Sequence, residues 1–429
     1  MSIRLSTLLH IYPLLYCVLG AQFIAFMAGA SRDRVGQRMT ETGSPVGLGL
    51  QGCFILATVL FCAANFTSVA RQIRYFIPVL IISAYTLLSA LWSIEPALTA
   101  RRGAAFLVTT IFACVFAGRY RLQQQLKILN SVMAIAAVSC VIVAVFLPTV
   151  GIDHTSAHFG DWQGIYDQKN GMAAVMVEGL TLVLLGKQFI KKATFWSLFL
   201  LYSFLLIKSG SREAWIAAAG VTMVYVFLSR LGGASAGLRA VLVALAALLC
   251  GGGSLLVAQN SAGIFRLLNR SSNLTGRTAI WRAVWLAIKS RPILGYGFDS
   301  FWLGLRPGVR ALVQVMAGAG PRWIITSAHD GPLEVLLELG TVGLVLTGLL
   351  LLRIVWRAFP RSSPESLFAL MIVVSIALNN IVETYLLVPN GVEWLLLVIA
   401  EVNLAATLSS ASTPARSMVS RIPQMRLAD

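Results

Sequence analysis

Apolar runs of about 20 residues, each long enough to cross a bilayer, alternate along this chain with short segments rich in Arg, Lys, Gly and Pro. They fall at 7–29, 47–69, 75–92, 103–118, 129–149, 171–187, 193–208, 213–230, 239–258, 331–352, 366–387 and 391–410. The pattern predicts an all-α polytopic membrane protein with about 12 transmembrane helices. The rhythm breaks once, between Gln259 and Gly331, where the chain spends about seventy residues outside the apolar pattern before it resumes. Within that loop Ile280, Trp281, Val284, Trp285 and Ile288 recur at helical spacing with Arg282 and Lys289 between them. This spacing predicts an amphipathic helix at a membrane surface. The expected organisation is a transmembrane bundle of about nine spans over 1–258, a large loop over 259–330, further transmembrane helices over 331–410 and a basic tail over 411–429.

Composition agrees with the pattern. Hydrophobic residues make up 57% of the 429 and charged residues 12%, and the mean hydropathy is +0.79, which excludes an ordinary soluble protein. A formal charge of +17 raises the question of nucleic acid, but the basic residues stand singly or in pairs at the ends of apolar runs, where topology explains them. No nucleic-acid motif is present. The six cysteines all lie inside apolar runs without CxxC spacing, so neither disulfides nor zinc is indicated. Arg4, the first run and Ala28–Ala30 resemble a signal peptide, but the run is too long for a signal core and predicts an uncleaved first helix.

Orientation follows from the short loops, because cytoplasmic loops collect Lys and Arg. With the N-terminus inside, the inside loops carry Arg71 and Arg74; Arg119, Arg121 and Lys127; Lys187, Lys191 and Lys192; Arg230 and Arg239; and Arg353, Arg357 and Arg361. The opposite short loops carry fewer. The expected topology is N-in and C-in, with the large loop facing away from the cytoplasm. Lys169, Arg212, Arg277 and His329 then come from three loops on one face, which allows a composite site.

That loop holds nine basic residues from Arg266 to Arg322, with Asp299 the one acid among them, a surplus suited to an anionic partner. His329 stands in Ser327-Ala-His-Asp330, a capping-box-like pattern in which Pro332 fits the first helical turn if Asp330 is the cap. A helix start disfavours a cation, which suits a ring that accepts a proton; taken alone, the residue also reads as part of a cap. Arg212, in a turn with almost no room between two runs, reads either as a snorkelling residue or as a phosphate clamp. Glu334 and Glu338 share a helix face, and Asn379, Asn380 and Glu383 interrupt an apolar run; intramembrane polar groups serve function or helix-to-helix hydrogen bonding. The loop 151–170 contains His154, His158, Asp153, Asp161 and Asp167, but no metal-ligand spacing on a helix. Gly295-Tyr-Gly297 reads as a turn.

The order of short motifs resembles a known family. Leu88-Ser-x-Leu-Trp-Ser-x-x-Pro96, Lys169-Asn170, Ser209-Gly-Ser-Arg212, Thr275-Gly-Arg277-x-x-x-Trp281, Arg291-Pro-Ile-Leu-Gly-Tyr-Gly297-x-x-x-Phe301 and Ala328-His329-x-x-x-Leu333-Glu334-x-x-x-Glu338-x-Gly340-x-x-Gly343 together resemble the O-antigen ligase and polysaccharide polymerase superfamily. Within it the chain is similar to exopolysaccharide polymerases of the succinoglycan type. The resemblance implies a GT-C-like architecture in a bacterial inner membrane, with the active site facing the periplasm. It also implies a metal-independent, inverting glycosyltransferase without cofactor, which moves a glycan from an undecaprenyl diphosphate carrier to an acceptor glycan in contact with membrane lipid. A polysaccharide chain-length regulator or export proteins would be further partners. Residue by residue, Arg212 and Arg277 would hold the diphosphate with Lys169 as a further candidate, and His329 would deprotonate the acceptor hydroxyl. Asp330, Glu334, Glu338 and Glu383 would support the site. Family members often carry Asn after the histidine; here Asp330 stands there and could instead orient His329. The same chemistry fits a ligase that transfers glycan to lipid A core, and a transporter or flippase of lipid-linked sugars would bind the same diphosphate without needing His329.

Overall fold

The computed structural model describes residues 5–19, 45–155, 158–230, 277–302, 325–381 and 383–411. The expected span at 239–258, the basic tail from 412 and most of the large loop lie outside these residues. The described residues form helices α1 (Leu5–Leu19), α2 (Pro45–Ala64), α3 (Phe66–Leu88), α4 (Pro96–Arg119), α5 (Leu122–Phe146), α6 (Lys169–Gly186), α7 (Lys192–Lys208), α8 (Arg212–Arg230), α9 (Arg277–Ser290), α10 (Gly331–Ala358), α11 (Pro364–Asn379) and α12 (Val392–Ala411). Among them the only β pairing is an isolated bridge between Ile152 and Trp162. Among the described residues six helices are long and apolar enough to cross a membrane, and Gly49–Ala64 and Pro364–Asn379 are shorter apolar helices. Each expected apolar run outside 239–258 overlaps a helix among the described residues, while the expected count of about 12 spans compares with six by length and apolarity.

The helices differ in how far they are enclosed. In α6 83% of the apolar window is buried and in α12 78%, against 33% in α3. Helices that are apolar all round belong at the centre, so α6 and α12 form the bundle's interior, while α3 exposes Ile73, Ile77 and Ile81. Between the inner helices, polar side chains pair rather than stand alone. Gln125 and Asn403 exchange amide hydrogen bonds of 2.9 and 2.7 Å, and Ser375 and Asn379 donate to Glu178. Contacts of this kind hold helices together where lipid is as apolar as leucine.

Helix α10 is broken. Gly340 has φ +66° and ψ −169° inside it, and the interruption frees carbonyls that a continuous helix would occupy. The Arg291–Gly297 turn takes them: Tyr296 N–H donates to the Leu337 carbonyl at 3.1 Å and Gly297 N–H to that of Glu338 at 2.8 Å, while Thr341 N–H donates back to the Pro292 carbonyl at 2.9 Å. The Leu88–Pro96 stretch closes on the same turn. Trp92 Nε1 donates to the Leu294 carbonyl at 2.8 Å, Ile94 N–H to that of Tyr296 at 3.0 Å, and Phe298 N–H to Ser89 Oγ at 3.0 Å. Three stretches far apart in sequence thus form one plug beside the start of α10. Over it α9 buries Ile280, Val284 and Ile288 in a second small core with Phe301, Trp302 and Leu337. Trp285, expected on the same face, is 45% exposed, because it lies one position off the buried stripe.

The expected span at 366–387 is shorter than predicted. Helix α11 stops at Asn379, because the Asn380 side chain turns back: its Oδ1 accepts from Tyr385 N–H and Leu386 N–H at 2.9 and 3.0 Å, and its Nδ2 donates to the Ile376 carbonyl and to Glu393. The described residues from 383 to 391 form a loop. Helices α6, α8, α9 and α10 begin at the end of the bundle where α11 finishes. Arg119, Lys187, Arg230, Arg353 and Arg357 lie at the other ends of their helices or just beyond.

At Gly340 a Cβ would stand 2.0 Å from the Ile293 carbonyl oxygen, whereas at Gly348 on the same helix nothing lies within 4 Å. Gly340→Ala therefore lowers the thermal unfolding temperature in detergent by several degrees, at a cost of about 1–3 kcal/mol or more, and Gly348→Ala leaves it unchanged.

Candidate active site

The site is assembled from the starts of four helices and the loop after α11. The 152–168 loop docks on the turn before α8, where Trp162 N–H donates to the Lys208 carbonyl at 2.9 Å. Gly210, at φ +61°, faces Asp161 so closely that a Cβ would lie 2.3 Å from its carboxylate; a side chain there would separate loop and turn. Asp161 in turn takes Lys169 Nζ at 2.7 Å. This locks the first turn of α6 against the first turn of α8, with Asn170 and Glu213 both directed to the same end of the bundle.

His329 has φ +51°, a left-handed conformation that costs a non-glycine residue about 1–2 kcal/mol. Its neighbours are tied down on both sides. Ala328 N–H donates to Glu334 Oε2 at 2.6 Å and the Ala328 carbonyl accepts from Trp281 Nε1 at 3.0 Å. Asp330 N–H reaches Thr384 Oγ1 at 3.3 Å, Gly331 N–H donates to the Asn380 carbonyl at 2.9 Å, and Asp330 Oδ1 caps α10 through Leu333 N–H at 2.8 Å. Asp330 is the N-cap with Pro332 in the first turn, as the sequence pattern predicts. Strain held by so many contacts belongs to positions whose geometry matters more than their stability.

The groups converge on Glu383. Its Oε2 lies 2.9 Å from His329 Nδ1, and its Oε1 accepts from Arg277 Nη2 at 2.8 Å and Asn170 Nδ2 at 2.7 Å. Arg277 also grips Glu213 with both Nη atoms, at 2.7 and 3.1 Å. Burial alone would raise the Glu383 carboxyl, but the hydrogen bond and charge of His329, the Arg277 guanidinium and the Asn170 amide outweigh it and hold the group below its usual 4.5. Glu383 is therefore an acceptor at neutral pH. With Glu383 as acceptor, the hydrogen between the two groups is carried by His329 Nδ1. The depressed carboxyl adds stability above its unfolded pKa, and this is lost only as pH falls through the lower folded value.

The sequence-expected residues thus separate. Arg277, His329 and Glu383 meet in one cluster, with Arg277 8% exposed and Glu383 6%. Lys169 is held by Asp161 instead, and Arg212 is exposed, with no hydrogen bond or ion pair among the described residues. Glu334 acts through the backbone: it fixes Ala328 and accepts from Trp302 Nε1 at 2.5 Å. Glu338 is buried beside it. Asp330 caps the helix, and Glu383 is the carboxylate that orients the histidine ring. Asn170 and Glu213 were not among the expected site residues, although each follows one of them directly, in Lys169-Asn170 and Arg212-Glu213. Among the described residues no group of three or more His, Cys, Asp or Glu side chains could hold a metal ion.

Comparison of the chain with curated protein sequences gives no match. Residues 197–348 match the family model described as O-antigen ligase. The matched segment contains Arg212, Glu213, Arg277 and His329; Asn170 and Glu383 lie outside it. Over that segment the match supports the resemblance to the O-antigen ligase and polysaccharide polymerase superfamily.

Proposed function

We propose that the protein is an inner-membrane glycosyltransferase that polymerises undecaprenyl-diphosphate-linked oligosaccharide repeat units of an exopolysaccharide or O-antigen. The observation that carries this reading is the relay from Arg277 through Glu383 to His329, at the end of the bundle where α6, α8 and α10 begin. In the reaction His329 Nε2 takes the proton of an acceptor hydroxyl while that oxygen attacks the anomeric carbon. The bond from that carbon to the diphosphate oxygen breaks, and the carrier diphosphate leaves with the electron pair. A single displacement inverts the anomeric configuration. Glu383 holds the ring with Nε2 presented and stabilises the imidazolium as it forms.

Arg277 serves the other half of the displacement. A guanidinium matches phosphate oxygens with paired N–H groups and neutralises the charge that develops on the leaving group, a task otherwise given to a divalent cation. In the structure those groups are occupied by Glu213, whose side chain is 35% exposed while that of Glu383 is 8%. Glu213 is therefore the partner that a diphosphate displaces, and Glu383 the one that stays. The exposed Arg212, on the neighbouring position, is available to the same diphosphate, with Lys169 behind Asp161 as a further cation. The basic ends of the helices away from the site support a cytoplasmic location for those ends and a periplasmic one for the cluster.

The family description fits a ligase as well, and the acceptor separates the two. Purified protein given a lipid-diphosphate oligosaccharide in EDTA is expected to make longer lipid-linked chains without lipid A core. Product that forms only when lipid A core is added makes the protein a ligase, and the absence of product under both conditions removes the transferase reading. Glu383→Gln keeps the shape of the side chain but no longer secures the Nδ1–H tautomer. We expect it to lower kcat about 10²–10⁴-fold with donor binding changed far less, measured by turnover and by donor affinity on the same preparation; an unchanged kcat would remove Glu383 from the relay.

A further inference from the structure

Beside the relay lies a cavity of about 290 Å³ that the proton transfer does not use. Ser327, Gly331 and Thr384 contribute to its wall, and these residues flank His329 or hold its neighbour Asp330. Arg277, Arg212 and Glu213 do not line it. The His329 ring does not line it either; the cavity is bounded by the segments on both sides of the histidine and is separate from the guanidinium, a position that suits an acceptor rather than a diphosphate.

Its lining is largely apolar, and the charged groups on it are mainly acids. Glu338, Asp299 and Arg102 face it together with Glu334, Asp167 and Glu393. Most of these are committed. Arg102 pairs with Asp299, Glu334 takes Trp302 and Ala328, and Glu393 takes Asn379 and Asn380. Glu338 differs: it is 7% exposed, and no side chain among the described residues donates a hydrogen bond to its carboxyl group, which lies beside the Asp299 backbone amide. A carboxyl group with lone pairs to spare inside a cavity accepts from O–H or N–H groups whether or not it is ionised. Val175, Val335 and Leu386 supply apolar surface on the same walls. Adjacent hydroxyls over an apolar ring face are what a sugar presents, and the volume, at the small end of ligand cavities, suits about one ring.

We infer that this cavity is a subsite for one sugar of the acceptor glycan, a neutral or amino sugar whose hydroxyl or ammonium groups bond Glu338. An acidic sugar is disfavoured, because the polar groups of the wall are mostly acids and its one cation, Arg102, is already paired with Asp299. The inference rests on the transferase reading for the word acceptor, though not for the presence of a sugar site.

The test uses the full chain in nanodiscs and saturation-transfer NMR with the methyl glycosides of glucose, galactose, mannose, glucosamine and glucuronic acid. At least one neutral or amino glycoside is expected to receive saturation, with glucuronide at least five-fold weaker. Val175→Trp, which fills the cavity, is expected to abolish the signal. Glu338→Gln is expected to weaken it at least three-fold and to reduce the discrimination against glucuronide. Both variants are checked for retained binding of a lipid diphosphate. If Val175→Trp fails that check, Glu338→Gln decides. No binding by any glycoside, glucuronide bound as well as the others, or signals unchanged in both variants would overturn the subsite. Product formation from lipid-linked donor is followed in parallel. Product without cavity-dependent sugar binding leaves the transferase and removes the subsite, whereas sugar binding without product keeps the subsite and removes the transferase.

Discussion

One buried carboxylate joins the parts of this site that the chain keeps far apart. Glu383, in the loop after α11, accepts from Asn170 at the start of α6 and Arg277 at the start of α9, and meets His329 just before α10. Taking such a charge out of water costs several kcal/mol unless it is paired and hydrogen-bonded, and here every contact is made by a residue from another element. The arrangement is therefore cooperative. Loss of one partner leaves a buried charge less compensated, and the rest of the cluster is held only as well as the carboxylate is. The histidine depends on this most, since its backbone stands in a strained left-handed conformation that its own helix does not enforce.

The fold supplies the rest by breaking helices where an ordinary bundle would continue them. The interruption of α10 at Gly340 turns three carbonyls outward; the Arg291–Gly297 turn takes two and Tyr85 Oη takes the third at 3.0 Å. That anchorage fixes the entry of α10, and with it Glu334, which holds Ala328 beside the histidine. The early end of α11, set by Asn380, releases Glu383 from a helix and lets it reach across. Non-helical backbone at membrane depth is tolerated where protein encloses it, and both breaks are packed against other segments.

Much of this was readable in the sequence, and the reason is physical. Lipid imposes length and apolarity on every span, so the helices α2 to α8 and α10 to α12 follow from the runs that encode them. Gly and Pro at fixed places told of turns, and Asp330 with Pro332 told of a helix start. Contacts between distant segments leave weaker marks. Lys169 and Arg212 carry the charge that draws attention, yet the side chains that reach the cluster are Asn170 and Glu213, one position on. Which of two adjacent residues faces inward depends on how the 152–168 loop locks onto the 208–211 turn, and no local pattern reports that. Glu383 stood out only as an acid in an apolar run. Its role became legible once α11 was seen to stop at Asn379.

In the proposed reaction the diphosphate meets cations and a displaceable Glu213, and the acceptor approaches from the segments that flank His329. The reaction requires the ring to take a proton from the attacking hydroxyl. The most direct test is elongation of a lipid-diphosphate oligosaccharide by purified protein in EDTA, wild type against His329→Ala, with the donor affinity of each measured alongside. The account predicts longer chains from wild type alone and similar donor binding by both. Elongation by His329→Ala at the wild-type rate would contradict it.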